Sequence, residues 1–269
     1  MSGPPSGGTS ARDIPFGEYA AVYDLIYQDK DYIAESLYVA DLVERYAPAK
    51  GRTARVVDLA CGTGRHAFEL AGLGYAMDCS DISADMVDVA RRGAAERRLS
   101  IRFHNQSFQT AGSIGGNFDA ALAMFAAFGY LTEWGDVART LRNVAKLLAP
   151  GGIFIFDVWN GASVLRDYSP HKVRQVSDEK RSVERVSCTT LDIMRQVARV
   201  QFDFTVTPAQ GPMTRFEEVH YMRFYFPREL SDLLQAMGFR IVSRCPFMSP
   251  DRELQPEDWN MTYVVQVDA

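Results

Sequence analysis

The stretch Val56-Val-Asp-Leu-Ala-Cys-Gly-Thr-Gly-Arg-His66 constrains the fold more than any other part of the chain. A short β-branched run, Arg55 to Leu59, enters a loop holding Gly62 and Gly64. A helical pattern from Arg65 to Leu73 leaves that loop and stops at Gly74. Such a strand–glycine loop–helix unit places its ligand at the carboxyl edge of a parallel sheet, where helix amides point outward. Gly62 and Gly64 let the backbone turn sharply and approach a ligand with no Cβ in the way. Gly62-Thr-Gly-Arg-His-Ala67 also fits G-x-G-x-x-A, the loop that cradles the pyrophosphate of NAD or FAD, so a nicotinamide oxidoreductase is one reading. Asp58 argues against it. An acid at the head of the loop is a poor host for a pyrophosphate and a tolerable one for a cationic ligand. Asp81, 17 residues after Gly64, can bind both hydroxyls of a ribose in either case.

Around this unit, strand and helix patterns alternate. Gly17 to Ala47 reads as helical, with Ile33, Leu37, Ala40 and Val43 as one apolar stripe closed by Pro48 and Gly51. Tyr75 to Cys79, Ile101 to His104, Phe118 to Phe125 and Ile153 to Val158 read as strands, the third apolar enough to be buried on both faces. Ser83 can cap a helix after Asp81, and Trp134, Val137, Leu141, Val144 and Leu148 mark an amphipathic helix that stops at Pro150-Gly-Gly152. After Asn160 the character changes: Lys172–Val176, Val183–Thr189, Val197–Val206 and Phe216–Phe226 read as strands without long helices between them, an antiparallel patch. A helix starting at Pro227 and ending before Gly238, then strands at Phe239–Arg244 and Met261–Val267, close the chain. The expected architecture is α/β, a Rossmann-like, mostly parallel seven-stranded sheet with an antiparallel last strand. Residues 1–15 are expected to be a disordered tail, 16–160 and 226–269 the core with an N-terminal helical cap, and 161–225 an inserted antiparallel β lid.

Composition narrows the function classes. The formal net charge is -5 and no cluster of five or more Lys or Arg occurs, which disfavours nucleic acid and anionic membranes as partners. No run approaches 18 apolar residues. Cys61, Cys79, Cys188 and Cys245 are scattered without any C-x-x-C, and the four histidines lack ligand spacing, so neither a disulfide framework nor a protein-bound metal is expected. That cysteine usage suits a reducing cytoplasm.

Val57-Asp-Leu-Ala-Cys-Gly-Thr-Gly64 resembles the first motif of class I S-adenosylmethionine-dependent methyltransferases, Asp81-Ile-Ser-Ala-Asp-Met86 their ribose-and-adenine motif, and Leu148-Ala-Pro-Gly-Gly152 their turn before strand five. Val22-Tyr-Asp24, Lys30-Asp-Tyr32 and Phe125-Ala-Ala-Phe-Gly-Tyr-Leu131 resemble the small-molecule subgroup, including nucleotide-linked amino-sugar N-methyltransferases. The resemblance implies S-adenosyl-L-methionine as cofactor. It assigns Ala60, Gly62 and Gly64 to the methionine part, Asp81 to the ribose, and Ile82 and Met86 to the adenine. Met124 would offer its carbonyl to the cofactor's amino group, and Tyr23 and Tyr32 would close over it. Gln106 and Ser107 stand where many relatives place an Asp and an apolar residue at the adenine amine. Core packing is the alternative reading of Ile82 and Met86.

On the acceptor side, Tyr130 occupies a position where some amino-sugar relatives carry a His, and reads alternatively as a half-buried helix-end aromatic. Strand alternation puts Glu218 and His220 on one face and Arg223 on the other. A Glu–His pair there orients an imidazole as base, or is simply a solvated face. Tyr130, His220, Glu218 and Tyr23 are the catalytic candidates; Tyr19, Phe128, Trp159, Asn160 and Arg223 the candidate substrate pocket, with Trp259 near by. The Gly-Pro-Ser-Gly-Arg-Gly-like segment of macrolide amino-sugar enzymes is replaced here by Pro246-Phe-Met-Ser-Pro250. The expected activity is N-methylation of a small-molecule amine of secondary metabolism. C- or O-methylation of an indole or phenol is the alternative, and a non-catalytic nucleoside-binding subunit a third reading. The expected partners are the small-molecule acceptor and, for the chain itself, a second copy in a homodimer.

Overall fold

A computed structural model describes residues 17–50 and 53–267. The tail expected at residues 1–15 lies outside the described residues. Seven strands form the main sheet: β1 (Arg55–Asp58), β2 (Ala76–Asp81), β3 (Arg102–Asn105), β4 (Phe118–Ala123), β5 (Leu148–Trp159), β10 (Phe239–Pro246) and β11 (Asn260–Val267). Their order is β10-β11-β5-β4-β1-β2-β3. All contacts among β1 to β5 are parallel, and β11 runs antiparallel to both β5 and β10. The helices are α1 (Gly17–Ile26), α2 (Tyr32–Tyr46), α3 (Arg65–Leu73), α4 (Ala84–Glu96), α5 (Trp134–Leu147), α6 (Gly161–Asp167) and α7 (Pro227–Ala236). A second, antiparallel sheet, β6 (His171–Ser177), β7 (Arg181–Asp192), β8 (Val197–Pro208) and β9 (Thr214–Arg223), follows in simple meander order. Among the described residues no helix is long and apolar enough to cross a membrane.

Side-chain alternation along the central strands divides the core in two. Phe154, Phe156 and Val158 of β5 face α5 and α7 together with Val57, Ala121 and Ala123. Ile153 and Ile155 face α2 and α3 together with Val56, Ala120 and Leu122. A smaller third core joins α1 to the second sheet through Tyr19, Val22, Leu25 and Ile26 against Val183 and Phe204. That contact puts the second sheet beside the N-terminal helices.

Three sequence expectations change. The helical region 17–47 is two helices, because residues 27–31 break it and the Asp31 carboxylate caps α2 by accepting from the Ala34 amide. Of the expected stripe of α2, Val43 is buried and Ala40 partly buried, but Ile33 and Leu37 are 61% and 52% exposed; the buried face also runs one residue earlier, through Tyr32, Ser36, Val39 and Leu42. Tyr32, Ser36, Val39 and Leu42 repeat at 4, 3 and 3, as Ile33, Leu37, Ala40 and Val43 do, so periodicity alone does not separate them. Trp134 is 51% exposed at the start of α5, while Val137, Leu141 and Val144 fill the groove over β4 and β5. The short helix α6, within the expected insertion, carries no periodicity long enough to be legible; Asn160 caps it.

Phe128, Phe154, Phe156 and Tyr263 form a stacked group with ring centroids 4.6–5.6 Å apart between Phe156 and its neighbours, all fully buried. Truncating the central ring leaves a void that surrounding rings cannot fill. Phe156→Ala is therefore expected to lower unfolding free energy by about 3–5 kcal/mol, measured by urea denaturation.

Candidate active site

The carboxyl edge of the sheet is built around two acids. Asp58 ends β1, is buried, and accepts from the Ala60 amide at 3.2 Å. Asp81 ends β2, also buried; one carboxylate oxygen accepts from the Gly62 amide at 2.8 Å and the other from the Ser83 amide at 2.9 Å. Burial raises the pKa of both: Asp58 is pushed to about 7 by desolvation, which outweighs the Ala60 hydrogen bond, and by the nearby Asp81 charge. Gly62 sits at φ +53° with open space where a Cβ would stand. Gly64, at φ +83°, caps α3, and a Cβ there would meet the Phe68 ring at 2.9 Å. Thr63 donates to Asp24 at 2.7 Å, tying the loop to α1.

Next to this loop, the chain leaving β4 turns back on itself. Phe125 and Ala126 both adopt left-handed conformations, φ +63° and +56°, a strained pair held because Asp157 accepts from the Ala126 amide at 3.0 Å. The turn leads into a 3₁₀ segment, Ala127–Tyr130, that meets β9. Gly129 makes that meeting possible: a Cβ there would lie 3.1 Å from both the Arg223 carbonyl oxygen and the Met222 methyl. Tyr130 Oη consequently lies 2.8 Å from His220 Nδ1, and His220 Nε2 lies 3.3 Å from the Glu218 carboxylate. Tyr130 and His220 are 90 residues apart in the chain. Burial raises the Tyr130 and Tyr23 hydroxyls well above the usual phenol range, so both remain protonated at neutral pH.

Between loop and second sheet lies a cavity of ≈ 560 Å³. Of the residues singled out from sequence, Tyr19, Tyr23, Tyr32, Ala60, Gly62, Asp81, Ile82, Met86, Ser107, Met124, Tyr130, Trp159 and His220 line it, as does Trp259. Glu218 stands behind His220. Gly64 faces Phe68 from the helix cap. Four others are displaced for stated reasons. Phe128 is fully buried against Phe154 and Phe156 in the main core. Asn160 is buried as the cap of α6, accepting from the Ala162 amide and donating to the Gln255 and Asp258 carbonyls. Arg223 pairs with Glu229 at 2.7 Å on the other face of β9. The Gln106 side chain accepts from Ser113 at 2.7 Å, and its neighbours Ser107, Phe108 and Gln109 form the wall instead.

The lining also holds residues that sequence reasoning passed over: Tyr27, Phe125, Phe202, Met222 and His66 among them. Tyr27 continues the Tyr19, Tyr23 spacing at intervals of four along the N-terminal region, a signal present in the chain. His66 is held by Glu35, whose carboxylate also takes Lys30; burial lowers the imidazole pKa, keeping it neutral. Phe202 and Met222 alternate inward on β8 and β9, invisible without knowing which face the sheet buries.

Residues 56–152 match the family described as a methyltransferase domain. Over 84% of this chain and 85% of the relative, the sequence is 28% identical to a dTDP-3-amino-3,6-dideoxy-alpha-D-glucopyranose N,N-dimethyltransferase of Streptomyces fradiae. Among solved structures, Streptomyces venezuelae DesVI superposes with a TM-score of 0.76 at 26% identity, covering 94% of this chain and all of that one. An S-adenosylmethionine-dependent methyltransferase from Clostridium acetobutylicum superposes with a TM-score of 0.77 at 21% identity, over 94% and 98%. The chain is a class I S-adenosylmethionine-dependent methyltransferase. The residues of the methyltransferase fit that cofactor: an open cradle at Gly62, a fixed carboxylate at Asp81, and buried acid beneath the loop suit a cationic nucleoside.

Asp58 gives the methyltransferase a pH signature. The folded carboxyl titrates near 7 and the unfolded one near 3.8, so between these values the native state binds more protons than the unfolded state. Stability therefore falls as pH rises through that window. Asp58→Asn removes this component, and the variant's advantage over wild type is expected to grow by up to about 4 kcal/mol from pH 4 to pH 7 and then level. Urea unfolding of the ligand-free protein at several pH values measures it; a constant difference would refute the assignment.

Proposed function

We propose that the enzyme methylates the nitrogen of a small-molecule amine. The observation that carries this reading is the Tyr130–His220–Glu218 chain, which ends on the cavity wall at Tyr130 and His220. An amine in water is largely protonated and must lose a proton before it can attack; a buried imidazole backed by a carboxylate is suited to take it. The relative from Streptomyces fradiae, named for an amino-sugar N,N-dimethyltransferase, supports the same acceptor atom.

In this reading Ala60, Gly62 and Gly64 seat the methionine part by backbone contact. Asp81 accepts from the ribose hydroxyls, Ile82 and Met86 flank the adenine, and Ser107 reaches its edge. Tyr23 and Tyr32 close the site from α1 and α2, and Met124 offers its carbonyl. The bound cofactor supplies a methyl group already activated by the sulfonium. The chain's own residues then have three tasks. Tyr130 accepts a proton from the amine as its own hydroxyl proton passes to His220 Nδ1, and Glu218 stabilises the resulting imidazolium. The aromatic wall of Tyr19, Tyr23, Phe202, Trp159 and Trp259 excludes water and orients the acceptor, and such positioning can contribute roughly 7–11 kcal/mol. Residues 161–225, with the N-terminal helices, act as the lid that completes the wall.

A mass-spectrometric screen for a 14 Da methyl gain, across amino sugars, other amines, indoles and phenols, tests the acceptor class. Nitrogen-methylated products are expected, and products methylated only on carbon or oxygen would sink the reading. For the proton path, His220→Gln and Tyr130→Phe are each expected to lower kcat by about 100-fold or more with S-adenosylhomocysteine affinity unchanged. In both, the rate should recover toward high pH, where the amine deprotonates in solution. Full activity at neutral pH in both variants would remove them from the chemistry.

A further inference from the structure

From Ile153 to Val158 strand β5 is apolar at every residue but one. That residue, Asp157, is fully buried. A carboxyl group in such a place is kept against the cost of removing it from water, and among the described residues its Oδ1 has no hydrogen-bond partner. Its Oδ2 takes two donors instead: the Asn260 side-chain amide at 2.7 Å and the Ala126 backbone amide at 3.0 Å. These donors stand 103 and 31 residues away in the chain. One oxygen therefore ties together two segments that nothing local joins.

Each segment is a different part of the cavity wall. Ala126 belongs to the turn after β4, where Met124, Phe125, Ala126 and Ala127 all line the cavity. Asn260 opens β11 and lines it too, next to Trp259, whose ring lies 5.8 Å from that of Trp159. The turn needs a tether. Left-handed backbone is disfavoured for any residue with a Cβ, and here Phe125 and Ala126 adopt it in succession, at φ +63° and +56°. Its own closing bond, from the Ala127 amide to the Met124 carbonyl, is long at 3.4 Å. We propose that Asp157 is a positioning residue for methyl transfer: its single bonded oxygen holds the turn so that the Met124 carbonyl meets the cofactor's amino group, and holds Asn260 so that the Trp259 wall keeps its place beside that turn. The role of Met124 in this proposal rests on the cofactor contacts given under the proposed function; the strut from Asp157 to the turn does not.

The test needs no acceptor. Calorimetry on the full chain measures the affinities of S-adenosylhomocysteine and of 5′-methylthioadenosine, which lacks the amino-acid end. Asp157→Ala should weaken S-adenosylhomocysteine by about tenfold and leave methylthioadenosine within about twofold, because only the first uses the Met124 carbonyl. An acid serving the fold alone would weaken both alike. Ala126→Gly, which takes the left-handed conformation without a Cβ, should bring the S-adenosylhomocysteine affinity of Asp157→Ala back to within about threefold of wild type. Asp157→Asn keeps an oxygen for both donors and should match wild type within about twofold. If Asp157→Ala does not fold, Asn260→Ala, which removes one donor and lets the carboxylate turn, should show the same selective loss at about threefold. Amide hydrogen exchange over residues 124–131 reads the turn directly and should quicken in Asp157→Ala and in Asn260→Ala. Unchanged exchange, equal loss of both ligands, selective loss in Asp157→Asn, or a lost affinity that Ala126→Gly does not recover overturns the strut. Faster exchange with both affinities unchanged supports the strut and overturns the assignment of Met124 to the amino group instead.

Discussion

The hydrogen bond from the Gly62 amide to the Asp81 carboxylate is the constraint around which the cofactor end is arranged. A carboxylate this deeply buried must be surrounded by donors, and here they are backbone amides, of Gly62 and Ser83, whose positions the sheet itself fixes. The bond is available only because Gly62 adopts a left-handed conformation that turns its N–H toward the end of β2. Parallel pairing of β1 with β2 sets Asp58 opposite Cys79, so the two acids come to the same edge one strand apart. Their mutual repulsion and shared burial make that edge a low-dielectric, acid-rich floor, which favours a cationic ligand over a pyrophosphate.

The cavity is therefore polarised along its length. One end carries acids whose charge burial disfavours; the other carries Arg185 behind a screen of tyrosine hydroxyls. Among the described residues Asp58, Asp81 and Arg185 have no ion-pair partner, whereas Asp78 pairs with Arg102 and Glu35 with Lys30. Between the two ends the wall is largely aromatic, with Tyr23, Phe125, Phe202, Trp159 and Trp259.

The fold was legible because its signals are local. A β-branched run, two glycines and an acid at the end of the next strand define the unit, and the alternation of strands and helices defines the sheet. The site was legible wherever a residue's place follows from the loop, as for Ala60, Gly62, Asp81 and Met86. It was not legible where a long-range partner decides. Phe128 looks like a pocket residue by position, but the 3₁₀ segment rotates it into the ring stack of β5. Asn160 follows strand five at the right edge, but α6, too short to show a period, takes it as a cap. Arg223 was separated from His220 by alternation, and Glu229, six residues on in the fold's next helix, claims it. Arg185 gave no signal at all, since one arginine in a strand of mixed character reads as exposed until the packing of α1 covers it.

The coupling of Tyr130 to His220 explains why the two halves of the site belong together. A tyrosine at the end of a 3₁₀ turn is a weak base on its own, and a histidine on a lid strand is remote from the cofactor loop. Gly129 eases their approach, since a Cβ there would press at 3.1 Å on the Arg223 carbonyl oxygen of β9 and on the Met222 methyl. The strained turn at Phe125 and Ala126, held by Asp157 of β5, leads into that 3₁₀ segment, which meets β9. The same contact that joins the second sheet to the 3₁₀ segment thus brings Tyr130 to His220, the proposed proton path. In the proposed reaction, the residues that would take the acceptor's proton and the wall that would exclude water from it are brought together by that one contact, which keeps proton removal and desolvation on one structural event rather than two.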